Sequence, residues 1–122
     1  MTLVSPGKPA RVISENALCT VGGTEYNIYT CPDNCRAEVT MLMIVNAGGS
    51  TESASVVWYD ASKTSDVHIL GSKSLSASDY VLFTGATLVL EPGDRLDITA
   101  GTSGTVHVDA LCTVTETFIP VG

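Results

Sequence analysis

Thr105-Val106-His107-Val108-Asp109-Ala110-Leu111-Cys112-Thr113-Val114-Thr115 alternates apolar and polar residues along almost its whole length. Val106, Val108, Ala110, Cys112 and Val114 share one side. Thr105, His107, Asp109, Thr113 and Thr115 share the other, and Leu111 is the exception. Side chains of a pleated strand point to opposite faces in turn, so this is a half-buried strand with an apolar inner face. The stretch before it has the same form: Leu96, Ile98 and Ala100 inward, Arg95, Asp97 and Thr99 outward.

The rest of the chain follows this period. No window of a dozen residues has apolar positions at the i, i+3, i+4, i+7 spacing of a helix. Strands are expected near 10–21, 24–31, 35–46, 53–60, 66–70, 79–84, 87–91, 94–100 and 105–118. Turn chemistry separates them: Gly22-Gly23, Pro32-Asp33-Asn34, Gly48-Gly49-Ser50, Glu91-Pro92-Gly93-Asp94 and Gly101-Thr102-Ser103-Gly104. Short strands with no helix between them point to an all-β fold, an antiparallel β-sandwich or jelly roll of eight or nine strands. A chain of 122 residues has room for one domain. The expected organisation is an N-terminal arm over 1–9 and a single β-sandwich domain over 10–122.

Composition narrows the function classes. Thirteen Asp and Glu against six Lys and Arg give a formal net charge of -7. Phosphate neutralisation needs clustered basic residues, so no nucleic-acid partner is expected. The longest apolar run, Met41 to Val45, is far below the roughly 20 residues of a membrane-spanning helix, so no membrane is expected either. Residues Met1 to Pro6 lack the charged and apolar regions of a secretory signal, and export on the chain's own address is not expected.

Apolar residues nonetheless make up 44% of the chain, which points to surface covered by a partner. On 35–46, Ala37, Val39, Met41, Met43 and Val45 form one apolar face. Leu42 and Ile44 interrupt the polar face begun by Arg36, Glu38 and Thr40, and Val56-Val57-Trp58-Tyr59 is apolar on both sides. Leu42, Ile44, Val57 and Tyr59 are therefore the candidate oligomer or partner interface. The competing explanation is coverage by a loop or by the arm. Trp58 and Tyr59 are adjacent, so one faces the core and the other faces out.

Candidates for chemistry are few. Cys31 and Cys35 flank Pro32-Asp33-Asn34, and across a tight hairpin their Cα atoms would lie about 5.5 Å apart, within disulfide range. Cys19 and Cys112 are a second, weaker candidate pair, first strand to last. A zinc site needs four convergent ligands, and no second ligand pair stands near Cys31 and Cys35, so no metal or other cofactor is expected. His68 and His107 are expected to face solvent. There is no His-x-His pair, no Gly-flanked nucleophile elbow and no phosphate loop opening a helix, so no enzyme is expected. Sugar binding would need an exposed aromatic platform, and the aromatics fall mostly within strands.

From Ile28 to Phe118 the order of features resembles a short β-sandwich module of phage and prophage virion proteins. The residues that carry the resemblance are Ile28-Tyr29-Thr30-Cys31-Pro32, Val39 to Asn46, the Trp58-Tyr59 strand, Ser74-Leu75-Ser76-Ala77-Ser78-Asp79, Leu88 to Leu96 and the final Val-rich strand. It implies a non-enzymatic virion structural protein. Within that class a capsid decoration (cement) protein is expected, bound to the major capsid protein or another virion component as a homo-oligomer, a trimer being favoured. The alternative is a tail-associated or tail-fibre module contacting host glycans. The cysteines around the first loop and the N-terminal extension depart from the usual module, and the resemblance assigns no functional residue.

Overall fold

The computed structural model describes residues 10–119, which form eight strands and no helix. They are β1 (Ala10–Val21), β2 (Glu25–Thr30), β3 (Cys35–Asn46), β4 (Glu52–Asp60), β5 (Ser65–Leu75), β6 (Tyr80–Leu90), β7 (Arg95–Ala100) and β8 (Thr105–Phe118). The first sheet has the order β1-β8-β3-β6 and the second β2-β7-β4-β5. All pairs are antiparallel.

The first strand pairs with the last, β2 with β7, β3 with β6 and β4 with β5. That nesting is a long hairpin, closed by the β4–β5 turn, rolled so that successive pairs fall in alternate sheets. It is a jelly roll. The core between the sheets is built from Val106, Val108, Ala110, Cys112 and Val114 of β8 facing Leu96, Ile98 and Ala100 of β7, each at most 1% exposed. Ala54, Val56, Ile44, Leu75 and Leu90 complete its centre. The alternation in β7 and β8 thus predicts the buried face correctly.

Two departures from the expected strands have one cause. Segments 79–84 and 87–91 are one strand, β6, because Gly85 takes φ +86 and carries the chain through an irregularity without ending it. Pairing with β3 jumps there from Val39–Leu88 to Met41–Thr84. Strand β5 likewise runs on to Leu75 through Ser72, at φ 46. At Gly22, by contrast, closeness demands glycine: a Cβ would stand 2.4 Å from the Ser103 carbonyl oxygen. This lets the β1–β2 turn lie on the β7–β8 loop.

Buried polar groups staple the crossovers. The Asp94 carboxylate, 1% exposed, accepts hydrogen bonds from Trp58 Nε1 (3.1 Å) and from the backbone N–H groups of Ala61 (2.9 Å) and Glu91 (3.0 Å). The Pro92-Gly93-Asp94 turn is thereby tied to the β4–β5 hairpin. Asn46, fully buried, donates to the carbonyls of Ser50 (2.7 Å) and Leu75 (3.0 Å) and accepts from Gly48 N–H (3.0 Å). At the other end Tyr29 donates from its hydroxyl to Glu116, and Arg11 bonds the second Glu116 oxygen at 2.8 Å. Sheet joins sheet there.

Candidate assembly surface

The largest correction lies in β3. Opposite β8 the register passes from Val39–Val114 to Met41–Thr113, so Thr40 is one extra residue, a β-bulge. Its hydroxyl donates to the Thr113 carbonyl at 3.1 Å. One inserted residue exchanges the two faces of everything after it. Ala37 and Val39 are buried before the bulge, and Leu42, Ile44 and Asn46 after it. Leu42 and Ile44, expected at an interface, are therefore core residues, 3% and 0% exposed.

The residues turned outward are Met41, Met43 and Val45, all half-buried. Register shows what lies beside them. Across the first sheet Asn16, Leu111, Met43 and Leu82 form one row, and Leu18, Asp109, Val45 and Tyr80 the next. Leu82 and Tyr80 are 47% and 57% exposed. The β3–β6 side of this outer face is an apolar strip.

Val57 and Tyr59 do point outward, on the second sheet, but into a polar setting. Arg95 lies 4.1 Å over the Tyr59 ring and bonds Asp97 at 2.7 Å, and Asn27 donates to Asp97 at 3.0 Å. Tyr59 is half-buried under the Arg95 guanidinium, and Val57, half-buried as well, lies opposite Asp97. Trp58 takes the core side of the same strand, as the alternation of adjacent residues requires.

The four cysteines are all buried. Burial pushes Cys19, Cys31 and Cys112 up to about 11, so each is a neutral thiol near pH 7, without nucleophilic character. Cys19 stands opposite Val108, and Cys112 lies four residues further along β8, roughly 13 Å away, which is beyond disulfide reach. The loop after Cys31 is a crossover between sheets rather than a hairpin, since β2 and β3 belong to different sheets. Even so, the Cys31 thiol donates to the Cys35 carbonyl at 3.3 Å, so the two residues share one end of the core. The Tyr29 hydroxyl there is raised by burial and by its bond to Glu116.

His68 and His107 are exposed and lie on different sheets. Among the described residues no three His, Cys, Asp or Glu side chains converge on a metal position. A cleft of about 60 Å³ lies between the β3–β4 loop and β8, lined by Asn46, Glu52 and His107 among others. It is about the size of a few water molecules. The residues missed from sequence are Met41, Met43, Val45, Tyr80, Leu82 and Leu111. A marker for the Thr40 bulge would have found the first three.

No family profile and no curated protein matches this sequence. Solved structures do. A chain of the acid-stable capsid of a Helicobacter pylori bacteriophage is 16% identical, with a TM-score of 0.57 over 93% of this chain and 94% of that one. A Bacillus endospore appendage subunit, from a family of disulfide-linked pili, is 12% identical, with a TM-score of 0.56 over 98% of each chain. An infectious bursal disease virus particle protein is 10% identical, with a TM-score of 0.54 over 97% of this chain but 35% of that one. The shared property is the fold, and most of these structures are of viral capsids or particles.

Proposed function

We propose that this chain is a non-enzymatic structural subunit of a phage virion, a decoration (cement) protein held on the capsid shell as a homo-oligomer. The observation that carries the reading is the apolar strip of Met43, Val45, Leu82 and Tyr80 on the outer face of a jelly roll. The phage capsid chain of matching length supports it, because the likeness spans both chains almost end to end. The partner is the major capsid protein or another virion component. Each copy contributes modest contact area, and attachment across a lattice multiplies retention. The net charge of -7 keeps decorated particles mutually repelled.

The test is gradient purification of particles from cells that make this chain, followed by electron microscopy with a label on its C-terminus. Label spread over the head shell is the expected result. Label confined to a tail would replace decoration with the tail-associated reading, and absence from particles would end both.

The pilus likeness favours one second reading, a filament subunit, since it also covers both chains nearly whole. Filaments of the purified chain in negative stain would establish it. A disulfide between Cys31 and Cys35 in oxidised protein remains our proposal, tested by a mass deficit of two hydrogens in the peptide spanning both.

A further inference from the structure

A jelly roll has four open sheet edges, here β1 and β6 of the first sheet and β2 and β5 of the second. An open edge presents unpaired backbone N–H and C=O groups, and proteins blunt such edges by shortness, bulges, proline or charged side chains, lysine above all. Three of the four are blunted. Strand β2 is six residues long and shifts register between Asn27 and Tyr29. Strand β5 shifts register twice against β4, takes a positive φ at Ser72 and carries Lys73. Strand β6 is broken in register at Gly85.

Over most of its length strand β1 is neither short nor bulged and carries no proline or lysine, and its two charges, Arg11 and Glu15, are of opposite sign. From Ala10 to Cys19 it pairs with β8 in unbroken register and contains no Gly, Pro or Lys. Its outer-face residues Val12 and Leu18 are 69% and 60% exposed. The register slips only after Cys19, where the Tyr26 hydroxyl accepts the N–H groups of Thr20 (3.4 Å) and Val21 (3.1 Å). Among the described residues no strand lies on the far side of Ala10–Cys19.

We propose that β1 pairs with β1 of a second copy, antiparallel about a two-fold axis at Ile13, to make one continuous eight-stranded sheet. A two-fold perpendicular to the sheet keeps the inner faces on the same side, so the charges choose the register. Centred on Ile13, the pairing sets Arg11 of each copy against Glu15 of the other, and Val12 against Ser14. Arg11 engages Glu116 through Nε, and its side chain is still 63% exposed. Glu15 is exposed. Moving the centre to Glu15 would set two carboxylates face to face, and moving it to Ser14 would press each carboxylate on an isoleucine; both are unfavourable. The half-buried Ile13, packed on the core rim, meets its symmetry mate and seals the open side of the sandwich. The second copy is thus specified by self-complementary charge on the edge that, among the described residues, is the least protected.

This deepens the assembly reading, resting on it for the homo-oligomer and replacing the trimer with a two-fold. The test uses the full chain. Sedimentation should show a dimer that weakens at least tenfold in Glu15→Arg, where Arg11 meets arginine. Paired residues at the axis lie about 4.5–5.5 Å apart in Cα, within disulfide range. Ile13→Cys should therefore form a covalent dimer under mild oxidation, while Glu15→Cys and the parent chain should not. A parent chain that stays monomeric at high concentration overturns the proposal, as does a dimer in which Ile13→Cys fails to cross-link. A variant lacking residues 1–9 that dimerises supports β1 itself as the contact. One that does not dimerise overturns it in favour of the arm. Leu82→Lys separates this from the wider reading: it should leave the dimer intact and weaken particle attachment.

Discussion

Asp94 shows how much of this fold depends on single polar side chains. Two of its three acceptor bonds join the β6–β7 turn to β4 and to the turn after it, the third, from Glu91 N–H, closes its own turn, and it is sealed from water. Removing it leaves buried donors unpaired, so Asp94→Ala should lower unfolding free energy by about 3 kcal/mol in urea titration. A double-mutant cycle with Trp58→Phe should be non-additive, because the two share a bond. The thiols give a pH prediction. In reduced protein Cys19, Cys31 and Cys112 titrate at about 11 rather than 9.0, so the unfolded chain ionises first as pH rises. Their contribution is whole below pH 9 and falls between pH 9 and 11. The urea midpoint should drop over that window, and Cys→Ala at the three positions should flatten the drop. Asp94 was visible in the sequence only as part of a turn, since nothing local indicates which side chain a turn residue will meet.

At the scale of elements, β3 decides what is core and what is surface. Thr40 has no sequence signature as a bulge, and a strict period of two carried past it assigns Leu42 and Ile44 to the wrong face. Strands β7 and β8 are legible because β7 keeps register with β4 and β8 has no inserted residue of its own opposite β3. Gly85 misled in the opposite sense, because a glycine in a positive-φ bulge reads like one in a turn. The Cys31–Cys35 spacing suggested a hairpin, but in a rolled fold most short loops cross between sheets, and local spacing cannot distinguish the two. The bulge makes a sharp test. Leu42→Ala and Ile44→Ala should each destabilise by about 2–4 kcal/mol, the cost of a core cavity, while Met43→Ala should stay within about 1 kcal/mol. Equal effects at Ile44 and Met43 in denaturant unfolding would mean that the faces are not exchanged.

For the molecule as a whole, the question is what an acidic jelly roll gains from leaving apolar side chains in water. Half-exposed Leu82 and Tyr80 beside Met43 and Val45 add little to the stability of one copy, and burying them in a contact is favourable at roughly 25 cal/mol per Å². On the proposed decoration reading each contact is weak alone, but linked copies would attach several at once, so the per-copy free energies would combine. A lysine on this face must therefore act twice: it breaks the apolar contact and multiplies the loss over every linked copy. Leu82→Lys should leave thermal unfolding nearly unchanged and reduce the amount of chain retained on gradient-purified particles at least tenfold. The same substitution at His68, exposed on the opposite sheet, should change neither. If His68→Lys strips the particles and Leu82→Lys does not, the second sheet is the docking face, and the strip on the first has another occupant.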